Sequence, residues 1–239
     1  TACFLFTSSC SDFLDEEHKT KYSSEYVFGT PEGLKLAVNA LYALQRYYAN
    51  DTENATIFAL ERGTDLAVTN GGTGNFYGIY DPNYLKPSAS QVGFMWRTMY
   101  QIIGKANEII AAAEDLEDTP SLRATVSEAK CFRAQSYFLL YRTFDRIWLN
   151  MLPTTAENVN DPRDFHAASE KEVFELIYED LEYAITNLDW VSDEAGRFTQ
   201  AAARHMKAKA ALWLKDWDTT LEQVEEIEKS GHFDLIALN

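Results

Sequence analysis

The chain has 239 residues, of which 46% are hydrophobic, so it is long enough for one large domain with a substantial core. Its formal net charge of -16 at pH 7 repels a phosphate backbone, which argues against nucleic-acid binding. The cysteines Cys3, Cys10 and Cys131 match no spacing typical of a metal site. We therefore expect a protein that uses neither a cofactor nor a metal ion.

The first ten residues resemble the end of a bacterial lipoprotein signal. Residues 2–6, ACFLF, are apolar, and the small residues 7–9 lead into Cys10. In such a lipobox the signal is cut before the cysteine, whose thiol is then acylated. We expect Cys10 to be lipidated rather than an accidental cysteine near a terminus, and the acidic stretch 11–25 to act as a tether.

Two long amphipathic helices are predicted on either side of a glycine-rich segment. The first begins at Thr30 and Pro31, because threonine can cap a helix and proline suits its first position. It ends near Asn50, and its apolar face is formed by Leu34, Ala37, Val38, Leu41, Leu44 and Tyr48. The second runs from about Gln91 to Asp115, with a buried face at Val92, Trp96, Met99, Ile103, Ala106, Ile110 and Ala113.

The segment between these helices, residues 51–90, cannot form a long regular element, because it is interrupted by Gly63, Gly71, Gly72, Gly74, Gly78, Pro82 and Pro87. The glycines fit neither a Walker A phosphate loop nor a GxGxxG dinucleotide fingerprint. Its glycine-rich part nevertheless contains the aromatic residues Phe76, Tyr77, Tyr80 and Tyr84, whereas disordered segments are poor in aromatic residues. A binding loop and a loop whose aromatic side chains pack onto the helical core both stay open.

The stretch from Ser127 to Trp148 is predicted to be a buried helix against which the rest of the chain packs. Its apolar positions cover most of the helix circumference, and neither glycine nor proline interrupts it. Arg133 lies on the buried side of this helix, so it needs a partner within the core. We expect a structural role for this arginine.

Three further helices are predicted in the second half of the chain. Ser169 and Glu172 form a capping box, and Thr199 begins an alanine-rich helix. A tight turn at 215–218 leads to a last helix with the apolar residues Leu221, Val224 and Ile227. The predicted fold class is therefore all-α, built from tetratricopeptide-like antiparallel helix pairs with long irregular loops that gather on one side.

Four passages, taken in chain order, match the motifs of one known family. Residues 8–17, SSCSDFLDEE, resemble a lipidated cysteine with an acidic segment, and 60–68, LERGTDLAV, resemble an E-x-R-G-D element with one extra residue. The most specific passage is 128–144, EAKCFRAQSYFLLYRTF, and the last runs from EVFELIYEDLEYAITNL to SGHFDL within 172–235. Together they resemble the N-terminal half of a SusD/RagB-type outer-membrane lipoprotein of Bacteroidetes.

The resemblance implies a SusD-like helical superhelix, with a signal-peptide remnant and lipobox at 1–10 and an N-terminal helical domain at 11–239. The C-terminal part of the family fold is expected to be absent from this sequence. The implied function is glycan or nutrient binding without chemistry, by a protein anchored through its lipid to the outer membrane and exposed at the cell surface. The implied partners are a glycan or oligosaccharide and a SusC-like TonB-dependent transporter, which act together in polysaccharide uptake.

A glycan site is predicted within the 51–90 segment. Flat aromatic rings cover the apolar faces of sugar rings, asparagine and aspartate bind hydroxyl groups, and glycines let the backbone approach a ligand closely. The candidate ligand-binding residues are Arg62, Asp65, Asn70, Asn75, Phe76, Tyr77, Tyr80, Asn83 and Tyr84.

Two other functions stay open on the residues alone. Tetratricopeptide-like helix pairs are also typical of scaffolds that bind protein segments. Glu61 and Asp65 could form the carboxylate pair of a glycoside hydrolase, although no further residues that would support such a pair are evident. We expect the chain not to be an enzyme.

Overall fold

The computed structural model describes seven helices and no strand within residues 22–50, 86, 88, 90–144, 146–155, 157–162 and 165–234. The helices are α1 (Ser24–Gly29), α2 (Pro31–Asn50), α3 (Ser90–Ala113), α4 (Pro120–Thr143), α5 (Glu170–Asn187), α6 (Gln200–Leu214) and α7 (Trp217–Lys229). The prediction of an all-α fold built from antiparallel helix pairs is confirmed. Among these described helices, none is both long enough and apolar enough to cross a bilayer.

Local sequence signals set most of the helix ends. Thr119 caps α4 by accepting a hydrogen bond from the Leu122 amide at 3.1 Å, and the predicted capping box of Ser169 and Glu172 begins α5. After α6, Lys215 adopts a left-handed conformation with φ 62°, which reverses the chain into α7. These short-range contacts explain why α5 and α6 begin, and the chain turns into α7, where the sequence predicts.

The short helix α1 was not predicted, and one glycine allows it to pack. A Cβ atom at Gly33, in the first turn of α2, would lie 2.2 Å from the carbonyl oxygen of Tyr26 on α1. Only a residue without a side chain permits the backbones of the two helices to approach this closely. Helices α1 and α2 are joined by the single residue Thr30. The absence of a side chain at Gly33 makes this tight connection possible.

Helix α4 is the central element of the described array. It packs against α2, α3, α5 and α6, whereas α7 packs against α6 alone. Its side chains Ala129, Cys131, Phe132, Tyr137 and Leu140 are almost completely excluded from solvent. The prediction that this stretch is the buried centre of the fold is confirmed.

A buried polar network joins α4 to its neighbours. Arg133 forms a bidentate ion pair with Asp180 on α5, in which Nε and Nη2 donate to the two carboxylate oxygens at 2.7 Å each. Lys130 donates to the same carboxylate at 2.8 Å, and Arg133 Nη1 donates to Asn107 Oδ1 on α3 at 2.8 Å. The Asp180 side chain is fully buried. The predicted need of Arg133 for a buried partner is confirmed.

The prediction that the central helix continues to Trp148 is wrong. It ends at Thr143, and the Phe144 amide still donates to the Leu140 carbonyl at 2.8 Å before the chain becomes extended. Beyond this point the Trp148 backbone is hydrogen-bonded to the Tyr100 hydroxyl of α3 instead of to its own helix. Tertiary hydrogen bonds therefore end the helix where the sequence contains no helix-breaking residue.

Both long connections leave the array at the same end. Tyr48 in the last turn of α2 stacks on Phe94 in the first turn of α3, and the Tyr141 hydroxyl in the last turn of α4 donates to Glu170 at the start of α5. The end at which α2 and α4 finish is therefore the end at which α3 and α5 begin; we call it the loop end. It carries the connections 51–89 and 144–169, as the repeat pattern predicted.

We predict that Asp180→Asn lowers the free energy of unfolding by about 3–5 kcal/mol, because it leaves Arg133 and Lys130 buried without a counter-charge. Urea denaturation followed by circular dichroism measures this change. The matched control is Glu175→Gln on the same helix, which removes only the exposed ion pair with Lys171 and is expected to cost no more than about 1 kcal/mol. Equal losses for the two variants would contradict a stabilising role of the network.

Candidate functional site

The ligand-binding residues predicted from sequence lie outside the residues that the structure describes. They all fall between 62 and 84, and Cys10, the predicted lipidation site, likewise precedes the first described residue. Helix α2 ends at Asn50 and helix α3 begins at Ser90, so the 51–89 connection starts and finishes at the loop end. The described part of the candidate site is therefore the region of the loop end around these two residues.

The loop end contains a group of aromatic side chains whose rings contact one another. Trp96 and Tyr100 on α3 lie 4.8 Å apart between ring centroids, and Trp96 also meets Phe144 edge-to-face at 5.0 Å. Trp148 stacks on Tyr100 at 6.2 Å, and Phe165 lies on Trp148 at 4.8 Å. We call these five residues the aromatic cluster. Four of them, Trp96, Tyr100, Phe144 and Trp148, are half-buried, and Phe165 is 70% exposed, so the cluster extends from the core to the surface.

Tyr100 fixes Trp148 in place through its hydroxyl group. The hydroxyl donates to the Trp148 carbonyl at 2.8 Å and accepts from the Trp148 amide at 2.9 Å. Burial raises the pKa of the Tyr100 phenol above its ordinary value, and the hydrogen bond to the Trp148 backbone only partly offsets this desolvation. The phenol therefore stays protonated at neutral pH, and both hydrogen bonds persist.

Asn150 ties the same segment to the buried network. Its carbonyl accepts from Asn107 Nδ2 at 2.7 Å and from the Tyr137 hydroxyl at 2.9 Å, while its amide donates to that hydroxyl at 2.7 Å. Asn107 is also the partner of Arg133, so a continuous chain of contacts runs from the Asp180 carboxylate to residues 146–150. This segment is preorganised by the core rather than by its own secondary structure.

The connection 144–169 adds a hydrogen-bonded turn and further exposed apolar side chains. Asn158 accepts from the Thr155 amide at 2.8 Å and donates to the Pro153 carbonyl at 2.9 Å, which closes a compact turn. Leu152 and Phe165 are both exposed by about 70% of their surface. Exposed apolar side chains grouped with a fixed backbone are typical of a binding surface.

A second aromatic group borders the points where the 51–89 connection leaves and returns. Tyr48 stacks on Phe94 with centroids 6.0 Å apart, and the exposed Tyr47 meets Phe94 edge-to-face at 5.8 Å. These rings hold the ends of α2 and α3 together. The connection that contains the predicted stacking residues therefore starts and finishes beside these three aromatic side chains.

Sequence reasoning missed the contribution of Trp148 and Phe165 to this surface. Trp148 was assigned to the buried helix, and Phe165 lies in a polar stretch between two prolines and a capping box. The signal that could have revealed them is a pair of large aromatic residues in a long loop that contains proline and asparagine. Their proximity to α3 could not be read from the sequence, because Tyr100 and Trp148 are 48 positions apart.

A groove between α2, α4 and α6 is a weaker candidate. It is lined by Gln45, Gln135, Phe138, Arg142 and Met206, among others, and its cavity volume is about 110 Å³. Pockets that bind small molecules are typically about 300–1,000 Å³. The groove is therefore too small to enclose an oligosaccharide.

The arrangement defines a class of protein: a helical-repeat array that presents an aromatic surface beside its long connections. Residues 12–212 match the model of a SusD-like family that is described as starch-binding and associating with the outer membrane. The chain belongs to the SusD-like family, whose members are associated with the outer membrane in Bacteroidetes.

Individual relatives support this membership. A SusD-like protein of Bacteroides ovatus is 27% identical over 232 residues, which cover 91% of this chain and 39% of the relative. SusD-like protein P2 of Formosa agariphila is 29% identical over 228 residues, which cover 94% of this chain and 43% of the relative. A solved laminarin-binding SusD-like protein superposes with a TM-score of 0.71 and 25% identity over 82% of this chain and 43% of its own. The chain thus spans less than half the length of these relatives.

We predict that Tyr100→Phe loosens residues 146–150 while keeping the aromatic ring, because the Trp148 amide and carbonyl both lose their partner. Amide hydrogen exchange of this segment should become at least about tenfold faster, which corresponds to about 1.4 kcal/mol of lost protection. The matched control is Tyr141→Phe, which removes a hydroxyl that bonds the carboxylate of Glu170 and should leave exchange in 146–150 unchanged. Unchanged exchange in Tyr100→Phe would show that other contacts hold the segment.

Proposed function

We propose that the chain is part of a cell-surface lipoprotein that binds a glycan and works with a SusC-like TonB-dependent transporter in polysaccharide uptake. The observation that carries this proposal is the family match over residues 12–212, to a family described as starch-binding. A relative that is named as laminarin-binding superposes on this chain with a TM-score of 0.71.

The loop end is the proposed position of the glycan. Carbohydrate rings have apolar C–H faces that pack on flat aromatic rings, and the aromatic cluster offers such a ring at the exposed Phe165, which contacts Trp148. The 51–89 connection leaves the array at the same end and contains Tyr77 and Tyr80, which we propose as further stacking residues. Asp65, Asn70, Asn75 and Asn83 are proposed to bind sugar hydroxyls from the same connection, together with Arg62, Phe76 and Tyr84.

The proposed role is binding without catalysis. The family description concerns starch binding and outer-membrane association. Glu61 and Asp65, the carboxylates considered for hydrolysis, lie in the same connection as the proposed stacking residues, and the sequence offers no further residues that would support a catalytic pair. A protein-binding scaffold remains the alternative that the helical-repeat fold favours, and a glycan titration separates the two.

We predict that the complete protein binds a soluble glycan from a panel that contains starch and laminarin, without releasing reducing sugar. Phe165→Ala should weaken binding about fivefold, because one stacking ring contributes roughly 1 kcal/mol. The double variant Tyr77→Ala/Tyr80→Ala should weaken it about tenfold or more for the same reason. Isothermal titration calorimetry measures both affinities.

The matched control for these variants is Phe233→Ala, which removes another exposed phenylalanine near the opposite end of the array. Its affinity should equal that of the unmodified protein. If Phe165→Ala and the Tyr77→Ala/Tyr80→Ala double variant both keep the unmodified affinity, these rings serve packing and the glycan site lies elsewhere. Release of reducing sugar would support a glycoside hydrolase, and binding of protein segments without any glycan would support the scaffold.

The lipid anchor and the transporter are tested in native membranes. We predict that Cys10→Ser in the complete precursor releases the protein from the membrane fraction, since stable anchoring depends on acyl chains attached to this thiol. The unmodified protein should co-purify with a TonB-dependent β-barrel in mild detergent. Membrane retention of the Cys10→Ser variant, or recovery without any barrel, would contradict the corresponding part of the proposal.

A further inference from the structure

Helices α2, α4 and α6 form the inner layer of the described array. Neighbouring members of this layer contact each other directly, α2 with α4 and α4 with α6. Among the described helices, α3 does not contact α5 and α5 does not contact α7. The array therefore curves toward α2, α4 and α6, because its helices approach more closely on that side. We call the surface that these three helices present away from α3 and α5 the inner face.

The inner layer is basic, although the chain as a whole is strongly acidic. The net charge of the chain is -16, and helices α5 and α7 are rich in glutamate. The acidic residues of α2, α4 and α6 are only Glu32, in the first turn of α2, and Glu128 on α4. Glu128 is bound by Arg197 and by the Tyr42 hydroxyl. A local excess of positive charge of this kind attracts anions in spite of the opposite net charge.

The groove between α2, α4 and α6 lies on the inner face and contains two cations. Arg142 on α4 and Lys209 on α6 both line it. Among the described residues, no carboxylate lines the groove or forms an ion pair with either side chain. Desolvation lowers the pKa of the Arg142 guanidinium from its ordinary value, because no counter-charge offsets it. The two cations are thus available to an anionic ligand.

Aromatic rings border these cations. The Arg142 guanidinium lies over the Phe138 ring, 4.4 Å from its centroid, and Trp213 on α6 meets Phe138 edge-to-face at 6.4 Å. Trp213 is 49% exposed, so part of its ring is open to a ligand. Arg142 and Trp213 lie in the last turns of their helices, which places this part of the inner face beside the loop end. A cation next to an exposed ring suits a sugar residue that has both an anionic group and an apolar face.

A third polar side chain in the groove has unused hydrogen-bonding capacity. Gln135 lines the groove, and its Oε1 atom is buried without a hydrogen-bond partner among the described residues. A buried acceptor that lacks a partner costs free energy, which a hydroxyl donor from a ligand restores. Sugar hydroxyl groups are donors of this kind.

We propose that the glycan of this protein carries anionic groups, and that Arg142 and Lys209 hold one of them in the groove. The group is a carboxylate or a sulfate, since both bind guanidinium and ammonium groups in the same way. The cavity of about 110 Å³ admits a single such group, while the sugar ring lies over Trp213. This inference rests on the proposed glycan binding and names the class of glycan. An acidic protein segment has the same charge, but the exposed ring and the position beside the loop end favour the glycan.

The test compares anionic glycans with their neutral counterparts, using the complete protein. Polygalacturonate is paired with its methyl ester, and dextran sulfate with dextran, and isothermal titration calorimetry measures each affinity. At least one polyanion should bind at least about tenfold more tightly than its neutral counterpart. Its affinity should fall as added salt screens the charges. The polyanion that binds identifies the group as carboxylate or sulfate.

A pair of double variants locates the anionic group. Arg142→Gln/Lys209→Gln removes both cations from the groove and should weaken polyanion binding about tenfold or more. The matched control is Lys105→Gln/Lys229→Gln, which removes the same charge from the outer helices α3 and α7. The control should keep the affinity within about twofold, because exposed charges at a distance are screened. Circular dichroism of both variants verifies that the helices are intact.

The outcomes separate this proposal from the proposed function. Binding of starch or laminarin without binding of either polyanion would overturn the anionic class and leave glycan binding in place. Equal losses in the two double variants would show that the groove does not hold the anionic group. Polyglutamate binding that depends on Arg142 and Lys209, without binding of either polyanionic glycan, would assign the groove to an acidic protein segment. If no glycan binds, both proposals fall together.

Discussion

The bidentate ion pair between Arg133 and Asp180 is the interaction on which the arrangement of the array depends. It buries two charges between α4 and α5, and Lys130 contributes a third to the same carboxylate. Such a cluster is tolerated only when every charge finds its partners, because the cost of desolvating an unpaired ion is several kcal/mol. Its geometry therefore specifies how α3, α4 and α5 must sit relative to one another.

The same network reaches the candidate site. Asn107 connects Arg133 to the Asn150 carbonyl, and Tyr137 and Tyr100 hold the rest of residues 146–150 by their hydroxyl groups. The segment that carries Trp148 has no secondary structure of its own, yet each of these contacts comes from a buried helix. A rigid core thus presents an aromatic side chain on a connection, which is how repeat folds place binding residues on loops.

The sequence predicted the helices well where local signals exist. The cap at Thr199 and the capping box of Ser169 place two helix starts, because these contacts involve residues three positions apart. It also predicted that Arg133 needs a buried partner. It could not identify Asp180 as that partner, since 37 acidic residues are present and the pair is separated by 47 positions.

The misses share a physical cause. The central helix ends at Thr143, and the Trp148 amide beyond it donates to the Tyr100 hydroxyl. No local sequence pattern predicts this contact, because the two residues are far apart in the chain. Helix α1 was missed because it is only six residues long, and its packing depends on a close approach to Gly33. The candidate residues of the 51–89 connection stay predictions, because they lie outside the described residues.

The central claim is that glycan recognition takes place at the loop end, on connections held by the buried network. Hydrogen exchange of the complete protein, with and without a saturating concentration of the glycan that binds most tightly in the panel, tests it most directly. The account predicts added protection in 51–89 and 144–169, and none in the connections 114–119 and 188–199 at the opposite end. Protection confined to the opposite end, or to regions outside this chain, would contradict it.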